Sequence, residues 1–287
     1  MNAMSELPVV AANSAGGEDR YTVPALARGL QLLGYFSRDD RELTGAQLAR
    51  RTGWPRASVF RMLQTLEQAG FIERCGEGPV YKLGVAVLRL GFEYLSSLEL
   101  TEHGRPIIEA LRDSAGYSAH LVIRDAREVV FVAKAAGRSA LFHSIQVGAR
   151  LPAHATVLGR VLLGGLTGQE LAALYEGFQL KAHTPATPTT LAALQTAVEG
   201  DAKRGWGISQ GGFETGISTI AAPVFNERHQ VCAAISITVP SSRIDPAKAE
   251  TLVAHVRDAA SALTQRLCHL PQYQNQRSAQ NLRSSQA

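Results

Sequence analysis

Residues 44–66, TGAQLARRTGWPRASVFRMLQTL, hold Arg50, Arg51, Arg56 and Arg61 and neither Asp nor Glu. They also carry their own punctuation. Thr44 can cap a helix over GAQLARRT, because a threonine oxygen accepts from the free N–H groups of a first turn. Gly53 stands where that helix must end through a left-handed residue. Pro55 stands at the start of the next helix, where a missing N–H costs nothing. That second helix, PRASVFRMLQTLEQAG, stops at Gly70. Leu48 and Ala49 of the first helix, and Val59, Phe60, Leu63 and Leu66 of the second, are the apolar positions expected to face a core. Upstream, ALARGLQLLGYF places Leu26, Leu30 and Leu33, flanked by Leu32 and Phe36, at helical intervals, and RDDREL ends the run. Downstream, FIERCGEGPVYKLG reads as strand, glycine turn, strand.

Two helices joined by a short glycine-containing turn and followed by a hairpin make a winged helix-turn-helix over residues 21–83. Its second helix begins with Arg56, Ala57, Ser58 and Arg61. The N-terminal part of a recognition helix enters the major groove, where arginine forks meet guanine edges and hydroxyls meet bases or phosphates. Carboxylates are excluded from such a surface because phosphates repel them. The expected partner is double-stranded operator DNA. The contacts are expected from Thr44, Arg50, Arg56, Ala57, Ser58 and Arg61, with Lys82 and the wing on the backbone.

The chain has 287 residues, 45% hydrophobic and 19% charged, enough for two domains with cores of their own. A net charge of +4 is compatible with nucleic acid. No apolar run reaches the ~20 residues of a membrane span, and the N-terminus lacks a secretory pattern, so the chain reads as cytoplasmic with no membrane contact. Cys75, Cys232 and Cys268 are too few and too scattered for a disulfide framework or a zinc site. No cofactor or metal is expected. Residues 1–20 and 271–287 are polar and small, as disordered tails are. GVAVLRLGFEYLSSLEL, residues 84–100, reads as a linker helix. Leu83, Val87, Leu90 and Tyr94 form a stripe along it, broadened by Val85, Leu88 and Phe92, and so apolar a connector calls for a partner helix. A homodimer, or a dimer of such dimers, follows.

From residue 101 to 270 the texture changes. AHLVIRD, EVVFVAKA, ALFHSIQ, TIAAPVFN and VCAAISITVP read as strands. ATVLGRVLLGGL, TGQELAALYEGF, TLAALQTAVEGDAKRG and PAKAETLVAHVRDAASALTQRLC read as helices. The whole is an α+β chain. His120, His143 and His154, with Glu214 and Ser236, supply acid-base and nucleophilic residue types, but none sits in a metal spacing, a nucleophile elbow or a phosphate loop. Enzymatic chemistry is therefore not expected, and Gly159 reads as a close-packing site.

The order ALARGLQLL, ELTGAQLARRTGWPRASVFRMLQTLEQAGFIER, YKLGVAVLRLG, VGARLPAHATVLGRVLLGGL, RGWGIS, ETGISTIAAPVF and CAAISITVPSSRI resembles an IclR-type bacterial transcriptional regulator over residues 21–270. GFEYLSSLEL and HATVLGRVLL resemble most the branch that regulates protocatechuate and p-hydroxybenzoate breakdown. The chain departs from the family pattern at Thr219, where Cys is frequent, and at Ser209, where an acidic residue is common. The resemblance implies that the second domain is a GAF-like or profilin-like module with an antiparallel sheet that binds a small effector. Carried over by motif, its pocket takes Ala140, Leu151, His154, Val157, Leu158, Ser209, Thr219, Ser236 and Thr238. The expected effector is a small carboxylate, an aromatic acid or a related catabolic intermediate. Ser236 and Thr238 are two apart on a strand and share a face. The backbone N–H groups from Ala155 to Leu158, ahead of a helix, are expected to be free to meet an anion. A DNA-binding regulator or adaptor whose second domain binds a protein instead of a small ligand also fits these residues.

Overall fold

The computed structural model describes residues 22–37, 39–76, 78–137 and 145–268, and the chain divides into two compact units between Leu95 and Ser96. The expected tails, residues 1–20 and 271–287, lie outside the described residues. No helix among those described is long and apolar enough to cross a membrane.

The first unit is a winged helix-turn-helix. Helix α1 (Pro24–Leu33) packs on α3 (Arg56–Gln68), and α2 (Gly45–Thr52) packs beside it. Thr44 caps α2 with a reciprocal pair: its hydroxyl accepts from the Gln47 N–H at 3.1 Å, and the Gln47 side chain accepts from the Thr44 N–H at 2.7 Å. Gly53 ends α2 at φ 71°, the left-handed exit that glycine adopts without strain. Pro55 is the N-cap of α3 rather than its first helical residue. Strands β2 (Ile72–Arg74) and β3 (Val80–Leu83) form the wing. A two-residue strand β1 (Leu43–Thr44), too short to show a period in sequence, adds to β3 and gives the order β1-β3-β2.

The core of this unit differs from the expected one in two places. Leu32 and Phe36 are buried, whereas Leu26 and Leu30 stand in solvent. Leu30 and Leu32 lie on opposite sides of α1, because two residues subtend about 200° on a helix, and Phe36 follows the helix end. Val59 and Leu63 are sealed against Leu32, Leu43, Leu48 and Ile72, but Phe60 is 50% exposed. It follows Val59 by about 100°, which turns it out of the core.

The linker is not one helix to residue 100. Helix α4 (Ala86–Ser97) ends before Leu98, and α5 (Glu99–Ala115) begins, with Thr101, Gly104, Ile107, Ile108 and Leu111 buried. Among the described residues α4 buries none of its side chains.

The second unit holds a six-stranded antiparallel sheet, order β6-β5-β4-β9-β8-β7. Its strands are β4 (Ser118–Asp125), β5 (Glu128–Ala135), β6 (Arg150–Pro152), β7 (Gly207–Gln210), β8 (Ser218–Phe225) and β9 (Val231–Val239). β6 and β7 are short edge strands that the sequence does not announce. Of the expected strand ALFHSIQ, residues 140–144 lie outside the described residues, and Ile145 and Gln146 are not in a strand. One face is covered by α5 and α9 (Pro246–Cys268). The other is covered by α6 (Val157–Leu163), α7 (Gly168–Leu174) and α8 (Leu191–Arg204), whose apolar residues close a core with Val122, Val129, Phe131, Ala221 and Ala234. Gly159 is required here: a Cβ on it would stand 2.0 Å from the Ala153 carbonyl oxygen, so α6 sits against the loop before it as only glycine permits.

Candidate functional site

Helix α3 turns Arg56, Ala57, Phe60, Arg61 and Gln64 to solvent, and Ser58 is half-buried. The four arginines of the acid-free stretch do not share one environment. Arg51 is claimed by Asp40, eleven residues upstream, through two hydrogen bonds of 2.9 and 2.7 Å. That partnership pulls the Asp40 carboxyl below its ordinary range. Arg50, Arg56 and Arg61 have no such carboxylate among the described residues. On the wing, Lys82 faces Glu73 at 3.4 Å, with both side chains half-exposed. Thr44 is occupied as a cap. The result is an open cationic helix face beside a wing whose lysine is partly neutralised.

In the second unit the strand register assembles what the sequence scatters. Ser118, Thr238, Thr219 and Ser209 stand directly opposite one another across β4, β9, β8 and β7. Opposed residues project to the same face, so these four hydroxyls form one row. The adjacent row runs Lys134, His120, Ser236, Ala221, Gly207 from β5 to β7. Burial grades between them: Thr219, Thr238 and Ser209 are half-buried, whereas Ser236 is 0% and His120 3% exposed. One row further, Phe131, Val122 and Ala234 close the floor with carbon.

Most members of these rows are tied down. The Ser118 hydroxyl accepts from the Gly137 N–H at 2.9 Å, and the Ser209 hydroxyl accepts from Gly212 at 3.1 Å. Lys134 donates its ammonium to the Ile145 carbonyl at 2.7 Å. Burial, and then the nearby Lys134 charge, push the His120 imidazole down to about 4, so it is neutral at pH 7. Its ring meets Phe131 edge-on at 5.4 Å. Ser236 differs: its buried hydroxyl has no hydrogen-bond partner among the described residues. An unsatisfied buried hydroxyl costs about 1–3 kcal/mol unless something supplies the missing bond.

Helix α6 roofs this face. A Cβ on Gly207 would meet Val157 at 2.6 Å, which places Val157 over the end of the second row. Leu158 beside it is also buried. Arg160 anchors the helix by donating to buried Asp201 on α8 at 2.8 Å and to the Ile208 carbonyl on β7 at 3.3 Å, next to Ser209. The N–H groups ahead of α6 are not all free as expected. The Ala155 N–H donates to Pro152 at 3.2 Å, and Thr156 caps the Gly159 N–H at 3.1 Å.

Two expected pocket residues stand elsewhere. Leu151 lies on β6 opposite Val129, which itself opposes Arg124, three rows and roughly 20 Å along the strands from Thr238. His154 belongs to a separate aromatic group, with ring centroids 6.3 Å from Tyr175 and Phe178 and 6.1 Å from His183, and its Nε2 bonds the Lys181 carbonyl at 3.0 Å. Burial holds the His154 imidazole below its ordinary range. Ala140 lies outside the described residues. The rows also include three polar residues that motif-matching left out of the site: Ser118, His120 and Lys134. Polar residues two apart in the otherwise apolar YSAHLV were the available signal.

Residues 92–265 match the description "Bacterial transcriptional regulator IclR C-terminal" and residues 25–76 match "IclR helix-turn-helix domain". The chain belongs to the IclR family. It is 31% identical over 245 residues, 85% of its length and 97% of the relative's, to the HTH-type transcriptional regulator XynR of Escherichia coli. It is 31% identical over 246 residues, 85% of its length and 83% of the relative's, to the Pca regulon regulatory protein of Pseudomonas putida. Among solved structures, a transcriptional regulator from Rhodococcus sp. RHA1 matches with a TM-score of 0.74 and 32% identity, covering 86% of this chain and 98% of that one. As an IclR-family protein it is a DNA-binding transcriptional regulator and not an enzyme, with an antiparallel-sheet second domain of the family type.

Proposed function

We propose that this IclR-family regulator controls a catabolic operon by sensing a small carboxylate, an aromatic acid or a related intermediate, on the two polar rows of its sheet. The observation that carries the reading is Ser236. A sealed hydroxyl without a partner among the described residues sits beside Thr219, Thr238 and Ser209, with the Lys134 ammonium at the end of its row. A carboxylate accepts hydrogen bonds at two oxygens, so it takes bonds from hydroxyls and gains from the cation. Val157, Leu158 and the Phe131–Val122 floor present the apolar surface that a ring requires. One relative carries the name Pca regulon regulatory protein, in keeping with an aromatic acid. On the DNA side, Arg50, Arg56 and Arg61 with Ala57 and Ser58 of the helix-turn-helix meet the groove, Thr44 holds the cap at its entrance, and Lys82 meets backbone.

The protein acts as a homodimer. Val85, Leu88 and Phe92 of the linker stand largely in solvent, and two half-sites one helical turn apart are read by a two-fold pair. Effector binding shifts the balance between arrangements of the two DNA-reading units, by no more than its difference in affinity for them.

The test is a thermal-shift screen of aromatic and aliphatic carboxylic acids, followed by calorimetry on the best hit with Ser236→Ala and Thr219→Val. Both variants should lose most of the heat of binding. Unaltered binding in both places the ligand elsewhere, and no stabilisation by any acid favours a protein partner for this domain.

A further inference from the structure

The exposed ring of Phe60 stands outside the hydrophobic core of the first unit. Val59 and Leu63, its neighbours on α3, are fully sealed, while Phe60 keeps half its surface in water. On a helix its surface neighbours are three and four residues away, namely Arg56, Ala57 and Gln64. Lone exposed apolar residues are ordinary on a protein surface. This one stands in the first half of the helix that an IclR helix-turn-helix presents to DNA, beside arginines that have no carboxylate among the described residues.

We infer that Phe60 is a specificity residue that packs on the 5-methyl group of a thymine in the major groove. Thymine is the base that puts a carbon group on that groove's floor, and an aromatic ring is among the side chains that meet it. Gln64, one turn further along the same stripe, extends the reading. Its carboxamide makes no hydrogen bond among the described residues and is the group that pairs bidentately with adenine N6 and N7. Thr65 is no reader of bases, since its hydroxyl donates back to the Arg61 carbonyl at 3.0 Å. Arg56 and Arg61 hold phosphates or guanines around the contact. Each half-site therefore contains a T·A pair whose thymine methyl is read by Phe60, with an adenine within one or two base pairs of it read by Gln64. The inference depends on α3 being the helix that enters the groove.

The experiment uses the full chain. Operator sequences are selected from random duplexes, and binding is then measured at fixed salt on duplexes in which each thymine in turn is replaced by uracil, which deletes the methyl and leaves base pairing intact. Wild type should lose about fourfold in affinity at one thymine per half-site, the value of one desolvated methyl group. Phe60→Ala should bind the thymine duplex several-fold more weakly and be indifferent to uracil at that position. Phe60→Leu should keep part of the discrimination. Because the ring is outside the core, both variants should melt with wild type. Uracil sensitivity that persists in Phe60→Ala overturns the inference, as does its absence in wild type. Wild-type affinity of Phe60→Ala for every duplex overturns it in favour of a protein contact at this ring. Selection of no sequence at all overturns the reading of α3 itself, and the inference with it.

Discussion

Ser236 on β9 stands directly opposite His120 on β4, both sealed from solvent, and the serine hydroxyl has no hydrogen-bond partner among the described residues. A core that tolerates such a group loses stability for it, of order 1 kcal/mol or more. Ser236→Ala should therefore raise the stability of the ligand-free protein by about 1 kcal/mol and reduce the stabilisation a bound carboxylate provides. Urea melts with and without the acid check both signs. A variant destabilised in both conditions would mean that the hydroxyl is already satisfied.

His120 gives the molecule an acid limb. Its imidazole titrates near 4 in the folded chain and near 6.5 when unfolded. Between those values the unfolded chain binds the extra proton, so stability is complete above about pH 6.5 and falls as the pH drops toward 4. The loss at this one residue is of order 3 kcal/mol. In His120→Asn the fall between pH 7 and pH 4.5 should be smaller by about 2 kcal/mol. Chemical denaturation at the two pH values measures it, and identical slopes would show that the imidazole is not responsible.

Glu73 restrains the wing. Its carboxylate faces Lys82 at 3.4 Å and faces any phosphate that the lysine meets. Glu73→Gln should strengthen operator binding and steepen its salt dependence by roughly one counterion, while Lys82→Ala should weaken and flatten it. Fluorescence anisotropy from 50 to 200 mM salt distinguishes the two directions. An unchanged slope in both would remove the wing from the interface.

Gly159 and Gly200 form a matched pair in the second unit. An alanine Cβ at Gly159 meets backbone at 2.0 Å, whereas at Gly200 its nearest neighbour is the tip of Arg204 at 3.6 Å. Gly159→Ala should cost at least the upper end of the about 1–3 kcal/mol typical of overpacking. Gly200→Ala, within α8, should add up to ~1 kcal/mol from helix propensity. Thermal melts of the two variants should move in opposite directions.

Much of this is written locally. Thr44, Gly53 and Pro55 act on their own backbone, so the helix-turn-helix could be read from residue types alone, and the strands β4, β5, β8 and β9, eight or nine residues each, announce themselves by their short runs of aliphatic and β-branched residues. Other features have no local mark. Helix α5 escaped because Gly104 and Pro106 interrupt its apolar spacing in the manner of a loop. Phe60 follows Val59 immediately, and only the position of the core decides which of two adjacent apolar residues it takes. The pairing of Arg51 with Asp40 spans eleven residues, and it separates one arginine from three that look the same in sequence.

The sequence by itself determined the architecture: a winged helix-turn-helix with a basic stretch free of acids over residues 44–66, a long apolar linker, and a sheet-and-helix domain with hydroxyls on its strands. These follow from capping, glycine conformation and periodicity, which act over a few residues. Only the tertiary structure decided the candidate site. Ser118, His120, Lys134, Ser209, Thr219, Ser236 and Thr238 come from five strands, and nothing but strand order and register sets them in two adjacent rows. A one-residue slip at any of those pairings would turn that strand's members to the opposite face, and the burial of the apolar face is what prevents the slip.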